Sequence, residues 1–312
     1  MSDIERIERQ LRLHDVRVLM AAVEAGSMGK AAERLHTSQP AVSRAISDLE
    51  HALGVPLVDR SPQGIQPTQY GRAIINRGLA VFDELRQGIK DIEFLSDPAA
   101  GELRIGCSES MASGLVLDVI DKLSRRHPRM SFHVATGAGP PIFEQLATRN
   151  VELVVSRMTR RITEEYLVAE KLFDDSYVVA ASSKSRWARR RKIELAELLD
   201  EPWTLPPFDS FGSTLITEAF RASELKPPRA IVTTISLNMR NRLLASGRYL
   251  TMVPGFAVAP DRYPLLKKLP VKLPDSRAPV AVVTLKNRSL SPLAQLFVAS
   301  LRTAARSQAR PR

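Results

Sequence analysis

Between Asp15 and Leu95 apolar residues return every three or four positions, the period of helices that bury one face. Val16, Leu19, Met20 and Val23 predict a helix over Asp15–Glu24. Ser27 can cap a second helix, whose small Ala31 and Ala32 allow another helix to cross closely. Thr37 or Ser38 caps that next helix, and Pro40 is tolerated because it falls in the first turn. Along it Val42, Ile46, Leu49 and Leu53 form one buried stripe. After Gly54, two short extended pieces around Ser61-Pro62-Gln63-Gly64-Ile65 predict a wing. Thr68 then caps a long helix to about Leu95, on which Ile74, Gly78, Val81, Leu85, Gly88, Ile92 and Leu95 alternate spacings of four and three. That is a coiled-coil seam, broadened by Ile75, Leu79, Phe82 and Ile89.

Asp97-Pro98-Ala99-Ala100-Gly101 breaks this pattern and marks a linker. Beyond it the pattern alternates between strands and helices. Strands are predicted at Leu103–Cys107, Met130–Ala135, Glu152–Ser156, Tyr177–Ser182, Arg229–Ile235, Leu250–Val253 and Pro279–Leu285. Helices are predicted at Met111–Arg126, Pro141–Arg149, Leu195–Leu199, Thr214–Ala222, Leu237–Ser246 and Leu293–Ala305. The fold class is therefore α + α/β: a helical N-terminal part, then an α/β part with largely parallel sheets and ligands beyond the strand ends.

The 312 residues suggest two or three domains, and no apolar run approaches the ~18 residues that cross a bilayer. Met1–Gln10 is a charged mixture rather than a secretion signal, so the expected location is the cytoplasm, with no membrane partner. The net charge of +11 is misleading about nucleic acid, because residues 1–100 hold 12 Lys and Arg against 14 Asp and Glu. The excess lies in residues 101–312, much of it in Ser185–Lys192 and in the tail after Arg302, which read first as solvated segments. Cys107 is the lone cysteine, so a disulfide within the chain is excluded. No metal-ligand spacing, phosphate loop or nucleophile elbow is present, and neither a catalytic residue, a metal nor a cofactor is expected.

DNA binding rests instead on local placement. Roughly opposite the stripe of Val42, Ile46 and Leu49 stand Pro40, Ser43, Arg44 and Ser47, which are short or cationic. A helix that lies in a major groove needs such a face, small enough to approach base edges and with an Arg to reach guanine or phosphate. Arg60, on the wing, can reach the sugar-phosphate backbone. The competing reading is an ordinary helical hairpin in a core. The seam predicts dimerisation through Ile74, Val81, Leu85 and Ile92, since a helix between two domains cannot bury both stripes against its own chain.

Leu13 to about Gly71 resembles the winged helix-turn-helix of LysR-type transcriptional regulators. The residues that carry this are Gly26-Ser27, Ala31-Ala32, Leu35, Ser38-Gln39-Pro40-Ala41-Val42-Ser43, Ile46, Leu49-Glu50, Gly54, Leu57, Arg60, Thr68 and Gly71. Leu103-Arg104-Ile105-Gly106, Val151-Glu152-Leu153, Gly247 and Val253-Pro254 extend the resemblance over nearly the whole chain. Val58, Pro67 and Glu152 depart from the family's common Phe, apolar residue and Asp. The resemblance implies a DNA-binding domain over 1–67, a dimerisation helix over 68–97, one effector lobe over 101–172 and 275–312, and a second over 173–274. It implies a homotetramer on double-stranded DNA at an imperfect palindrome, a small-molecule effector in the inter-lobe cleft, and contact with RNA polymerase if the protein activates. Gln39, Pro40, Ser43 and Arg44 would then approach bases or nearby phosphates, and Arg60 and Thr68 the backbone; Ser27, Ser38 and Ser47 complete the DNA-binding set.

For the cleft, Ser108 and Ser110 stand at a strand end where a helix begins near Met111, a natural anion site, although Ser110 also suits a plain N-cap. Gly137 follows the second strand, where backbone passes close to a ligand. Arg157 follows the third and can pair with a carboxylate or lie on the surface. Trp203-Thr204-Leu205-Pro206-Pro207-Phe208 supplies an apolar wall, and Ser236 begins an inward-facing helix. This set suits a small carboxylate, against which the charge of Glu109 argues unless it points away or meets a hydroxyl or amine. Cys107 at its strand end reads as a small buried hydrophobe. An enzyme and a ligand-independent architectural DNA-binding protein are the competing functions; the latter leaves some 200 residues of α/β sequence unexplained.

Overall fold

The computed structural model describes residues 3–61, 64–158, 162–208, 210, 213–258, 263–274 and 276–308, with only the backbone of 3, 4, 6, 307 and 308. Pro62 and Gln63 at the predicted wing tip, and the end of the basic tail, lie outside them. The chain forms two compact units, residues 1–88 and 89–312.

The first unit opens with α1 (Asp3–Gln10), which the apolar pattern did not predict, followed by α2 (Leu13–Ala25), α3 (Met28–Arg34) and α4 (Gln39–Leu53). Val16, Leu19, Ala22, Ala31, Ala32, Val42, Ile46 and Leu49 interlock in one core and are nearly or wholly buried. The wing strands β1 (Val58–Ser61) and β2 (Gly64–Pro67) pair antiparallel, and the Ile65 amide donates to the Gly26 carbonyl at 3.0 Å, which pins the wing to the turn after α2. Thr68 caps the long α5 (Gln69–Ser96) by accepting from the Gly71 amide at 3.0 Å, while its hydroxyl donates to the Pro56 carbonyl at 2.8 Å. Gly78 lets α5 lie close on α2, because a Cβ there would stand 2.7 Å from Val16 and 3.2 Å from the Met20 sulfur.

The second unit contains β3 (Ala100–Cys107), α6 (Glu109–Met111), a π-turn at Ala112–Val116, α7 (Leu117–Arg126), β4 (Arg129–Thr136), α8 (Pro140–Ala147) and β5 (Leu153–Arg157). After β6 (Leu167–Ser182) come β7 (Trp203–Leu205), α9 (Thr214–Ala222), β8 (Ala230–Thr233), α10 (Leu237–Ala245), β9 (Thr251–Pro254), β10 (Leu266–Lys268), β11 (Arg277–Leu285) and α11 (Pro292–Gln308).

Strand order runs β10-β6-β11-β5-β3-β4, with β9 also on β6, and β7 pairs β8. Contrary to the expectation of largely parallel sheets, among the paired strands of the described residues β3 with β4 and β5, and β7 with β8, are parallel and the rest antiparallel. The reason is β6. Its first part, Leu167–Ser176, pairs antiparallel with β11, and from Tyr177 onward it pairs antiparallel with β9 and β10. One strand thus runs from one lobe into the next, and the Tyr177 amide donates to the Ser276 carbonyl at 3.0 Å where the chain returns. Successive residues of a strand face opposite ways, so each lobe has two cores. Leu153 and Val155 join the core under α7 and α11, whereas Val154 packs with Ile142 and Leu146 of α8. In the second lobe Val179 and Ala181 pack with Trp203 and Phe220, and Val178 and Ala180 with Leu237 and Leu244.

Candidate DNA-reading helix and effector cleft

Ser38 holds the start of α4 in place, its hydroxyl accepting from the Ala41 amide at 3.4 Å. With Val42, Ile46 and Leu49 turned into the core, Gln39, Pro40, Arg44 and Ser47 are exposed and Ser43 half-buried, all on the remaining surface. Gln39, Ser43 and Ser47 follow one i, i+4 row, and Pro40 and Arg44 the next. Beside this face Glu50 sets the wing: its Oε1 accepts from the Leu57 amide at 2.8 Å and the Val58 amide at 3.3 Å. Its other oxygen lies 4.0 Å from the Arg60 guanidinium, which stays half exposed. Helix, wing and cation are thereby fixed relative to one another, as a surface that meets a groove and its flanking phosphates requires.

The second unit contains a cleft of about 140 Å3 between the ends of β3 and β5, the middle of β6 and the start of α10. Ser108 and Ser110 line it with their hydroxyl oxygens 3.3 Å apart. At its floor the buried Arg157 guanidinium pairs with Asp175, donates to the Asp175 carbonyl at 3.1 Å, and stacks 4.9 Å from the centre of the Tyr177 ring. Burial raises the pKa of Asp175 and the Arg157 charge pulls it back. Burial likewise raises that of Tyr177, against the pull of Arg157 and Arg240.

Arg240, on α10, lines the same cleft and is 9% exposed. Its Nη1 donates to the Met252 carbonyl at 3.4 Å, while its buried Nε meets no hydrogen-bond partner. Burial depresses its pKa, and Tyr177 and Glu109 act in the opposite sense. Across the cleft Glu109 Oε2 accepts from the Leu237 amide, the first of α10, at 3.0 Å. A buried cation with an unpartnered Nε, two hydroxyls, and a helix start whose Leu237 amide is held by Glu109 thus stand together along this cleft.

Residues 13–72 match the model of the bacterial regulatory helix-turn-helix protein, lysR family, and residues 96–306 match the LysR substrate binding domain. The chain belongs to the LysR family. It is a DNA-binding transcriptional regulator of that type, with an effector-binding domain. The LysR chain is 31% identical to the HTH-type transcriptional regulator TdfR of Cupriavidus pinatubonensis, over 86% of this chain and 95% of that one. It is 26% identical to the HTH-type transcriptional regulator GbpR of Azospirillum brasilense, over 97% and 90%. Among solved structures, a full-length OxyR variant from Pseudomonas aeruginosa aligns with a TM-score of 0.66 at 22% identity, covering 95% of each chain. Full-length CbnR complexed with its target DNA aligns at 0.55 and 21%, over 95% of this chain and all of that one. At such identities these two speak for the LysR fold.

Within this LysR domain, not every residue expected in the cleft lines it. Ser108, Ser110 and Arg157 do. Met111 is wholly buried in the core with Leu103 and Phe297, and Gly137 rests against Ile142 while its neighbours Ala138 and Gly139 face the space. Phe208 is 48% exposed and off the lining, and Ser236 serves as N-cap of α10, its hydroxyl accepting from the Met239 amide at 3.2 Å. In the DNA-binding set, Ser27 occupies the N-cap of α3 without a side-chain cap bond, and Thr68 spends its hydroxyl inside the fold. On α5, Ile74 packs toward the first core, whereas Val81, Leu85, Ile89, Ile92 and Leu95 stand 42 to 81% exposed. Tyr177, Ser210 and Arg240 were not in the expected set yet line the cleft, and Glu109, weighed above as a charge against a carboxylate, lines it too. Arg240 had a signal: a cation on the stripe between Leu237 and Leu244 of one helix.

Among the described residues, no group of three or more His, Cys, Asp or Glu could hold a metal, and no helix is long and apolar enough to cross a membrane.

Proposed function

We propose that this LysR-type regulator binds an imperfect palindromic operator as a dimer of dimers, and responds to a small carboxylate held between its two lobes. Residues 1–67 would read DNA and 68–97 dimerise; residues 101–172 with 275–312, and 173–274, would form the lobes. Base contacts fall to Gln39, Pro40, Ser43 and Arg44, with Ser47 beside them, and backbone contact to Arg60. The exposed row Val81, Leu85, Ile89, Ile92 and Leu95 supports pairing of two α5 helices, because apolar side chains four and three apart gain by meeting a second copy. A twofold dimer presents two α4 helices to two half-sites. The protein would act in the cytoplasm, and touch RNA polymerase where it activates.

The observation that carries the effector half is Arg240: a buried cation on the cleft wall with a donor left over, beside the hydroxyls of Ser108 and Ser110. Arg157 is less free to serve, since Asp175 already answers its charge. The test is a thermal-shift screen of the full chain against carboxylates, sugars and amino acids, followed by footprinting. A ligand at a hundred times its Kd stabilises by about 2.7 kcal/mol, which is readily seen. The expected result is a saturable carboxylate hit that changes the protected DNA; hits confined to uncharged sugars would refute the carboxylate reading.

A further inference from the structure

The seat at the start of α10 is already taken by a carboxylate of the protein itself. Glu109 lies in the first lobe and α10 in the second, and the Leu237 amide donates to Glu109 Oε2 at 3.0 Å. One turn along, Arg240 is 9% exposed on the same wall, its Nε unpartnered. Helix start and guanidinium both favour negative charge, and the carboxylate bonded to that amide belongs to the chain itself. We propose that Glu109 is a built-in occupant of a carboxylate seat formed by the Leu237 amide and Arg240, and that the effector is a small carboxylate that competes with it.

This rests on the effector reading above and adds how the site responds. With Glu109 seated, its hydrogen bond ties the two lobes. An incoming carboxylate takes the Leu237 amide and pairs with the Arg240 guanidinium that lines the cleft, and Glu109 swings out. No covalent bond changes. A tethered group competes at a high effective concentration, so weak anions at low level fail to displace it. An ammonium ligand is disfavoured, since Arg240 lines the same cleft as Glu109.

The test uses the full chain as wild type, Glu109→Ala and Glu109→Gln, melted in sodium acetate or sodium chloride of equal ionic strength. Removing the tethered carboxylate leaves the seat open to a free one. At about 100 mM, acetate should raise the Tm of Glu109→Ala by about 2 °C over chloride and leave the wild type unmoved. Glu109→Gln keeps the side chain's shape and guards against a folding defect; its neutral amide should be easier to displace and give a smaller acetate-specific rise. Equal responses in all three proteins would overturn the proposal. Stabilisation of the wild type by methylammonium, lost in Glu109→Gln, would overturn it in favour of an ammonium site. A screened carboxylate that changes DNA binding without any acetate effect in the variants would overturn the competition and leave the effector reading standing. Acetate rescue in a protein whose footprint no small molecule alters would support the seat and count against the effector reading.

Discussion

Substitution of Leu85 tests whether α5 is a dimer seam. Leu85 is 50% exposed and flanked one turn away by Val81 at 42% and Ile89 at 56%, so it stands midway along an apolar row. Full burial of a leucine side chain stabilises by about 1.5–3 kcal/mol, so covering the open half gains about 1 kcal/mol. Twofold symmetry counts it twice, and Leu85→Ala should weaken the dimer by about 2 kcal/mol, or roughly 30-fold in Kd. Leu85→Glu should do more, since two carboxylates would face one another in an apolar seam and lose water. The residue lies outside the buried cores, so circular dichroism of the variant should match the wild type. Sedimentation velocity over a concentration series should show the Ala variant dissociating at higher concentration and the Glu variant reduced to a smaller species than the wild type at every concentration. A Glu variant that sediments like the wild type at every concentration would refute the seam.

Cys107 is wholly buried and burial pushes its thiol pKa up to about 12, so the native protein should resist iodoacetamide at about pH 8 and react only once unfolded; rapid native labelling, read by mass spectrometry, would contradict this. Gly71→Ala should destabilise the first unit by about 1–3 kcal/mol, because the new Cβ would lie 2.0 Å from the Leu57 carbonyl oxygen, which is backbone and cannot step aside. Thermal unfolding checks it, and an unchanged melting curve would refute the close approach. Glu152 accepts from the Ser291 amide at 2.5 Å and pairs with Lys90 at 3.1 Å. Glu152→Gln should cost about 2–3 kcal/mol in denaturant unfolding, below the ~3–5 of a fully buried pair because Lys90 is partly exposed. Adding Lys90→Met should recover part of the loss, and failure to do so would sink the ion-pair explanation.

The helical unit was legible because its signals are local. The Ser38 cap, the Val42-Ile46-Leu49 stripe and the polar face opposite belong to one helix, and tertiary packing had nothing to override. The seam on α5 was half legible: spacing gave the row, but only the contact of Ile74 and Gly78 with the first core shows where it turns inward. The cleft was harder, since its wall joins residues from Ser108 to Pro254 and sequence spacing holds no such information. Glu170, Lys171, Asp174 and Asp175 hid the first part of β6, because that strand is only partly covered there and lacks a clean alternation. Phe208 misled for a plain reason: an aromatic after two prolines looks like a wall, yet its loop leaves it half exposed. Arg157 was read as able to pair with a carboxylate or to lie on the surface, and only the fold reveals the carboxylate of Asp175 beside it.

The central claim is that the outward face of α4 reads DNA, and the direct measurement is footprinting on fragments selected from genomic DNA by the full-length protein. Wild type should protect two half-sites in rough twofold symmetry. Ser43→Ala with Arg44→Ala should lose them while sedimenting as before, since each good base contact is worth about 1–3 kcal/mol of discrimination. A double variant that protects the same bases as the wild type would contradict the assignment of α4.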